Sequence, residues 1–97
     1  MLTHVHPISE TLIGGAWSAN IDVNLMELAY VLIIPDTSAN DYTFRITSPS
    51  SNIIFTAKVA GRLYREVKVP CNGTYTLAVV GATVVADTIN GELGFRR

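Results

Sequence analysis

Cysteine is almost missing from this sequence. Cys71 is the only one in 97 residues, so no disulfide can form within the chain. Small secreted domains commonly lean on disulfides, and a chain without them reads as one folded in a reducing compartment. Histidine is nearly as scarce: His4 and His6 are the only two, both at the start of the chain. Any imidazole-dependent catalysis would have to draw on that terminus. Charge is also sparse, with Asp, Glu, Lys and Arg at 15% against a usual share of about 25%. No run approaches the roughly 18 apolar residues of a membrane-spanning helix. The longest, Leu28 to Ile34, stops at Pro35. The opening MLTHVHPISE lacks a basic n-region and a long apolar core, so no signal peptide is expected. No glycine-rich phosphate loop, multi-cysteine zinc pattern or Ser-His-Asp motif is present.

Apolar residues fill the space those absences leave. They make up 48% of the chain, and mean hydropathy is +0.32. A domain of this length buries only roughly 60–70% of its unfolded surface, so it should be more polar than average. This one is less polar. The surplus implies apolar residues on the outside, and exposed apolar patches mark interaction sites. The net charge of −1 conceals a division. Residues 1–44 hold five acids (Glu10, Asp22, Glu27, Asp36, Asp41) and no base. Residues 45–97 hold seven bases (Arg45, Lys58, Arg62, Arg65, Lys68, Arg96, Arg97) against Glu66, Asp87 and Glu92. If folding leaves the two signs apart, they favour head-to-tail contacts between copies.

The hydrophobic period is two almost throughout. Tyr42, Phe44 and Ile46 alternate with Thr43, Arg45 and Thr47; Ile53, Phe55 and Ala57 alternate with Ile54, Thr56 and Lys58. The same holds for Leu63, Arg65, Val67 and Val69, and for Tyr75, Leu77 and Val79. Such alternation predicts half-buried strands. Thr83 to Thr88 is rich in β-branched residues and predicts another. Ile21 to Tyr30 reads as a strand, a turn at Glu27 and a second, buried strand. Pro35–Asp41, Ser48–Asn52 and Pro70–Gly73 read as loops or turns. Asn90-Gly91 is the strongest hairpin signal, because a type I′ turn needs positive φ at both central positions. These signals predict an all-β chain: a two-sheet antiparallel β-sandwich of about seven to eight strands, formed by residues 11–97. Residues 1–10 read as an N-terminal arm, since Pro7 disfavours a central strand.

Candidate chemistry is thin. His4 and His6 are two apart, so on a strand their rings share a face and could supply two metal ligands. Cys71 would need a neighbouring base to act as a nucleophile. Asp36 and Asp41 flank a loop that could gather oxygen ligands but lacks calcium-loop spacing. Arg62, Arg65 and Lys68 beside Tyr64 could touch phosphates, yet Arg65 and Lys68 point to opposite faces. Trp17, Tyr30, Tyr64 and Tyr75 are candidate sugar platforms. None of these makes a complete site, so the expectation is a non-enzymatic protein with no cofactor and no metal.

The segment PCNGTYTLAVV (Pro70–Val80) resembles the late strand of immunoglobulin-like sandwich modules, with Tyr75, Leu77 and Val79 in the core places. YTFRITSPSSNIIF (Tyr42–Phe55) resembles the preceding hairpin, with Ser51-Asn52 where a turn glycine is common. The likeness covers about half the chain and implies an immunoglobulin-like or jelly-roll fold. Short, cysteine-poor chains with Ser/Thr/Asn-rich loops and apolar surfaces also resemble bacteriophage virion proteins of the head-decoration, head–tail joining or fibre-base type. That resemblance implies a virion component assembled in the host cytoplasm. Its partners would be other virion proteins or copies of itself in a homo-oligomer, with neither nucleic acid nor membrane involved. The expected contact residues are Leu2, Val5, Ile8, Leu12, Ile13, Trp17, Phe95, Arg96 and Arg97. The alternative is a carbohydrate- or ligand-binding module.

Overall fold

Alternation becomes six antiparallel strands in the computed structural model, which describes residues 4–97: β1 (His4–Thr11), β2 (Trp17–Pro35), β3 (Asp41–Thr47), β4 (Ile53–Ala60), β5 (Leu63–Val80) and β6 (Thr88–Arg96). Among the described residues there is no helix. Hydrogen bonding runs through one sheet in the order β1-β6-β2-β5-β3-β4. The chain therefore forms one continuous sheet where two separate sheets were expected. The strand number differs for a related reason. β2 and β5 are 19 and 18 residues long and pair from Trp17↔Val79 to Ile33↔Leu63. β6 pairs only with the second half of β2, from Glu27 to Pro35. β3 pairs only with the last residues of β5, from Thr76 to Val80. Each long strand thus serves two halves of the sheet, where the sequence reads as a pair of shorter strands.

The halves meet at a bend. The β2–β5 register shifts between Val23 and Met26, where Leu25 has φ 48° and Gly73 on β5 has φ 113°. A bulge of this kind bends a strand and moves its side chains by one position. A second shift lies between Leu28 and Tyr30. The two shifts keep the apolar face inward: Ile21 and Val23 are buried before the bend, Leu28 between the shifts, and Val31 and Ile33 after them. The bend brings the faces of the two halves together. Tyr42, Phe44, Ile46, Leu77 and Val79 from one half join Val31, Ile33, Ile89, Leu93 and Phe95 from the other in a single core.

Opposite the bend, the loops are tied to one another. The N–H of Leu12 donates to Asp87 O at 2.8 Å, Gly15 N–H to Val85 O at 2.9 Å, and Ala82 N–H to Gly15 O at 3.0 Å. Asp36 N–H donates to Thr88 O and Thr83 N–H to Asp41 O, each at 2.9 Å. The accessible surface is 5320 Å², close to the roughly 5,400 Å² expected of a folded monomer of this mass. One copy therefore closes its own core.

Four local expectations are corrected. Asn90-Gly91 is no hairpin: both residues lie inside β6, opposite Ser9 and Ile8 on one side and Ile34 and Ile33 on the other. Gly91 serves close strand approach, because a Cβ there would lie 2.1 Å from Leu32 O. Pro70–Gly73 is a bend within β5 and does not separate two strands. Thr83 to Asp87 is loop, held by Asn40, which is fully buried. The Asn40 side chain donates to Asp87 Oδ2 at 3.0 Å and to Val84 O at 3.3 Å, and accepts from Val84 N–H at 3.1 Å. Finally, residues 4–11, most of the expected arm, form edge strand β1 on β6 of the same chain. Pro7 is tolerated there because an edge strand leaves half its N–H groups unpaired.

Candidate functional site

A broad depression lies at the bend. It is an open groove of about 540 Å³ lined by Leu25, Met26 and Glu27 of β2, Pro70, Cys71 and Asn72 of β5, Tyr75, and Arg96 and Arg97. Local chemistry shapes it. The Leu25 N–H, freed from the ladder by the bulge, donates to Asn72 Oδ1 at 3.2 Å. The Asn72 N–H donates to the Tyr75 hydroxyl at 3.0 Å. Gly73 permits the positive φ and leaves room for the next loop, since a Cβ there would lie 2.8 Å from the Pro49 ring. Arg96 and Glu27 form an ion pair at 3.4 Å on the flank.

Leu25 is the unusual member. Its side chain is 72% exposed, and its backbone is left-handed at φ 48°. That conformation disfavours a residue with a Cβ by roughly 1–2 kcal/mol. An apolar side chain is thus held in water at a strained position beside an apolar groove.

The groove has little reactive chemistry. Cys71 is buried, and its thiol donates to Val69 O at 3.4 Å. Burial pushes that thiol upward in pKa, the opposite of what a nucleophile needs. Burial likewise raises the Tyr75 phenol. Arg96 and Arg97 supply positive charge, and Glu27 already neutralises one of them. The arrangement can hold an apolar side chain and attract an acidic rim.

The expected contact residues divide by environment. Ile8, Leu12 and Phe95 are buried in the monomer's own core. Trp17 packs partly buried against that core. Val5 and Ile13 are exposed, Ile13 at 84%. Arg96 and Arg97 flank the groove. Leu2 lies outside the described residues. His4 pairs with Phe95 across the sheet and its ring lies 6.1 Å from the Phe95 ring. His6 is two positions on, and burial followed by the charge of His4 lowers its pKa. No group of three metal-ligating side chains occurs among the described residues. Asp36 and Asp41 are exposed at the loop end, remote from the groove. Leu25, Met26 and Asn72 escape the sequence reading. Their signal is a break in alternation at Leu25-Met26-Glu27, which reads as a turn when taken alone.

No protein-family model matches the chain, and no curated protein matches it. Among solved structures it is similar to PliG of Aeromonas hydrophila, a periplasmic inhibitor of g-type lysozyme. That match has a TM-score of 0.55 and 12% identity, covering 96% of this chain and 85% of that one. A chain of the infectious bursal disease virus Gx strain matches with a TM-score of 0.35 and 12% identity, over 95% of this chain and 31% of that one. At that score the viral match carries no argument. The PliG likeness shows a shared all-β fold.

Proposed function

We propose that this chain is a non-enzymatic structural protein that works through protein–protein contacts, with copies of itself among its partners and a bacteriophage virion as its setting. One observation carries the contact reading: Leu25, strained and exposed, stands at the mouth of an apolar groove. Ile13, Ile53 and Val85 add exposed apolar surface elsewhere. β1 and β4 leave open sheet edges, which are templates for pairing unless guarded. The virion setting rests on the low charge, the apolar surface and the resemblance of type to small phage proteins. The PliG likeness adds that a fold of this outline can serve to bind another protein.

Light scattering at tens of micromolar tests self-association. Concentration-dependent species larger than a monomer are expected, and a strictly monomeric protein refutes that half. Genes for head or tail components flanking this one are expected, and a metabolic operon would refute the virion setting. The sugar-binding alternative predicts quenching of Trp17 fluorescence by a glycan. Trp17 packs against the core, so a panel of sugars should leave its emission unchanged.

A further inference from the structure

We infer that copies of this chain join end to end, the loop tip of one copy entering the bend groove of the next. This deepens the assembly reading and rests on it. Both ends of β2 lie among the tied loops, while its middle forms the bend, so groove and loops occupy opposite ends of the molecule. The nine residues of β6 run between them, a span of about 30 Å.

Both ends expose apolar residues, and their charges are opposite in sign. The groove end offers an apolar floor, the exposed Leu25 and the bases Arg96 and Arg97 against one acid, Glu27. The loop end offers Ile13 at 84% exposure and Val85 at 54%, with Asp36 and Asp41 exposed beside them. Arg62, next to Gly61, is the base at that end, and Gly61 N–H donates to Asn40 O at 2.9 Å. The loop tip is already ordered. Ile13 and Ala16 exchange backbone hydrogen bonds of 3.0 and 3.2 Å, and Gly15 is bonded to Val85. Docking it therefore costs little conformational entropy. Like ends repel: groove on groove sets arginines against arginines, and tip on tip sets aspartates against aspartates. Groove on tip is the favourable pairing. Such a contact uses different surfaces on the two copies, so it propagates into a ring or a filament.

The test uses two blocking variants of the full chain. Leu25→Asp spoils the groove and leaves the tip intact; Ile13→Asp does the reverse. Both positions are exposed, and Asp tolerates positive φ better than Leu, so both should fold. Leu25→Gly serves as a second groove variant. By light scattering at about ten times the concentration where wild type first associates, each variant alone should be monomeric. Their equimolar mixture should form a dimer that grows no further, because each partner keeps one working surface. A mixture that stays monomeric while wild type assembles overturns the inference. So does assembly of either variant alone at the wild-type level, which would leave self-association standing through another surface such as the sheet edges. A wild type that never assembles overturns both readings.

Discussion

Replacing Leu25 by glycine should make the isolated monomer more stable. The residue sits at φ 48°, where a side chain costs roughly 1–2 kcal/mol. Glycine relieves that cost and loses about 0.5–1 kcal/mol to extra freedom in the unfolded chain. The Leu25 side chain is 72% exposed, so removing it forfeits little buried area. Its N–H bond to Asn72 Oδ1 survives the change. The net gain lies between about 0 and 1.5 kcal/mol, centred near 0.75 kcal/mol. For a chain of 97 residues the central value corresponds to about 3–6 °C in Tm. Thermal and urea unfolding of wild type, Leu25→Gly and Leu25→Ala, at concentrations too low for association, supply the measurement. Alanine keeps the strain and should gain nothing. A glycine variant less stable than wild type by more than about 0.5 kcal/mol would show that Leu25 packs within its own chain. The claim that strain is tolerated there for an external contact would then fail.

Four further outcomes are expected. Gly91→Ala should cost about 2–3 kcal/mol, because its Cβ meets the Leu32 backbone oxygen at 2.1 Å. Gly94→Ala should cost less, about 1 kcal/mol, since its Cβ meets the side chain of Tyr30 and not backbone; equal losses in urea denaturation would contradict this reading. Burial works to raise the Asp87 pKa, but hydrogen bonds from Asn40, Thr37 and Thr88 outweigh it and hold the carboxyl below 3.8. A depressed acid stabilises the fold above its unfolded pKa, and that contribution is lost as pH falls below 3.8. Asn40→Ala removes one of those hydrogen bonds, so it should destabilise the protein at neutral pH and shrink the acid-dependent loss. An unchanged acid limb in unfolding curves would refute the link. Burial raises the Tyr42 phenol from 10.0 to about 12, and its hydroxyl donates to Gly61 O at 2.6 Å. That contribution is complete below pH 10.0 and is lost as pH rises toward about 12. Tyr42→Phe should cost about 1 kcal/mol at pH 7 and flatten stability across that alkaline window.

The sequence discloses the inward faces of β3 and of the second half of β5 because alternation is a local signal, whereas in β4 Ile53 is exposed beyond a register shift. Tyr42, Phe44 and Ile46, and likewise Tyr75, Leu77 and Val79, are buried as their spacing implies. What it hides is longer in range. Asn90-Gly91 carries the local chemistry of a turn, yet Gly91 is set by the backbone of Leu32, far away in sequence. The bend at Leu25 and Gly73 interrupts two strands at once, and each interruption alone looks like a strand end. Ile8, Leu12 and Phe95 have the apolar character of contact residues, but only the β1–β6 pairing reveals that the core takes them. Arg96, Arg97, Cys71 and Tyr75 stand out one by one in the sequence, but their meeting with Leu25 in one groove does not, because Leu25 and Tyr75 become neighbours only after β2 and β5 pair.

That pairing also governs how the chain must fold. Of the strand pairs, only β3–β4 joins elements adjacent in sequence. β2, the longest strand, waits for β5 and β6, so its first hydrogen-bonded neighbour reaches it from the other half of the chain. Topologies dominated by such distant pairings fold in milliseconds to seconds, and they leave apolar strands uncovered meanwhile. The first 44 residues carry five acids and no base. The strands that eventually cover β2, namely β5 and β6, come from the half that holds all seven bases.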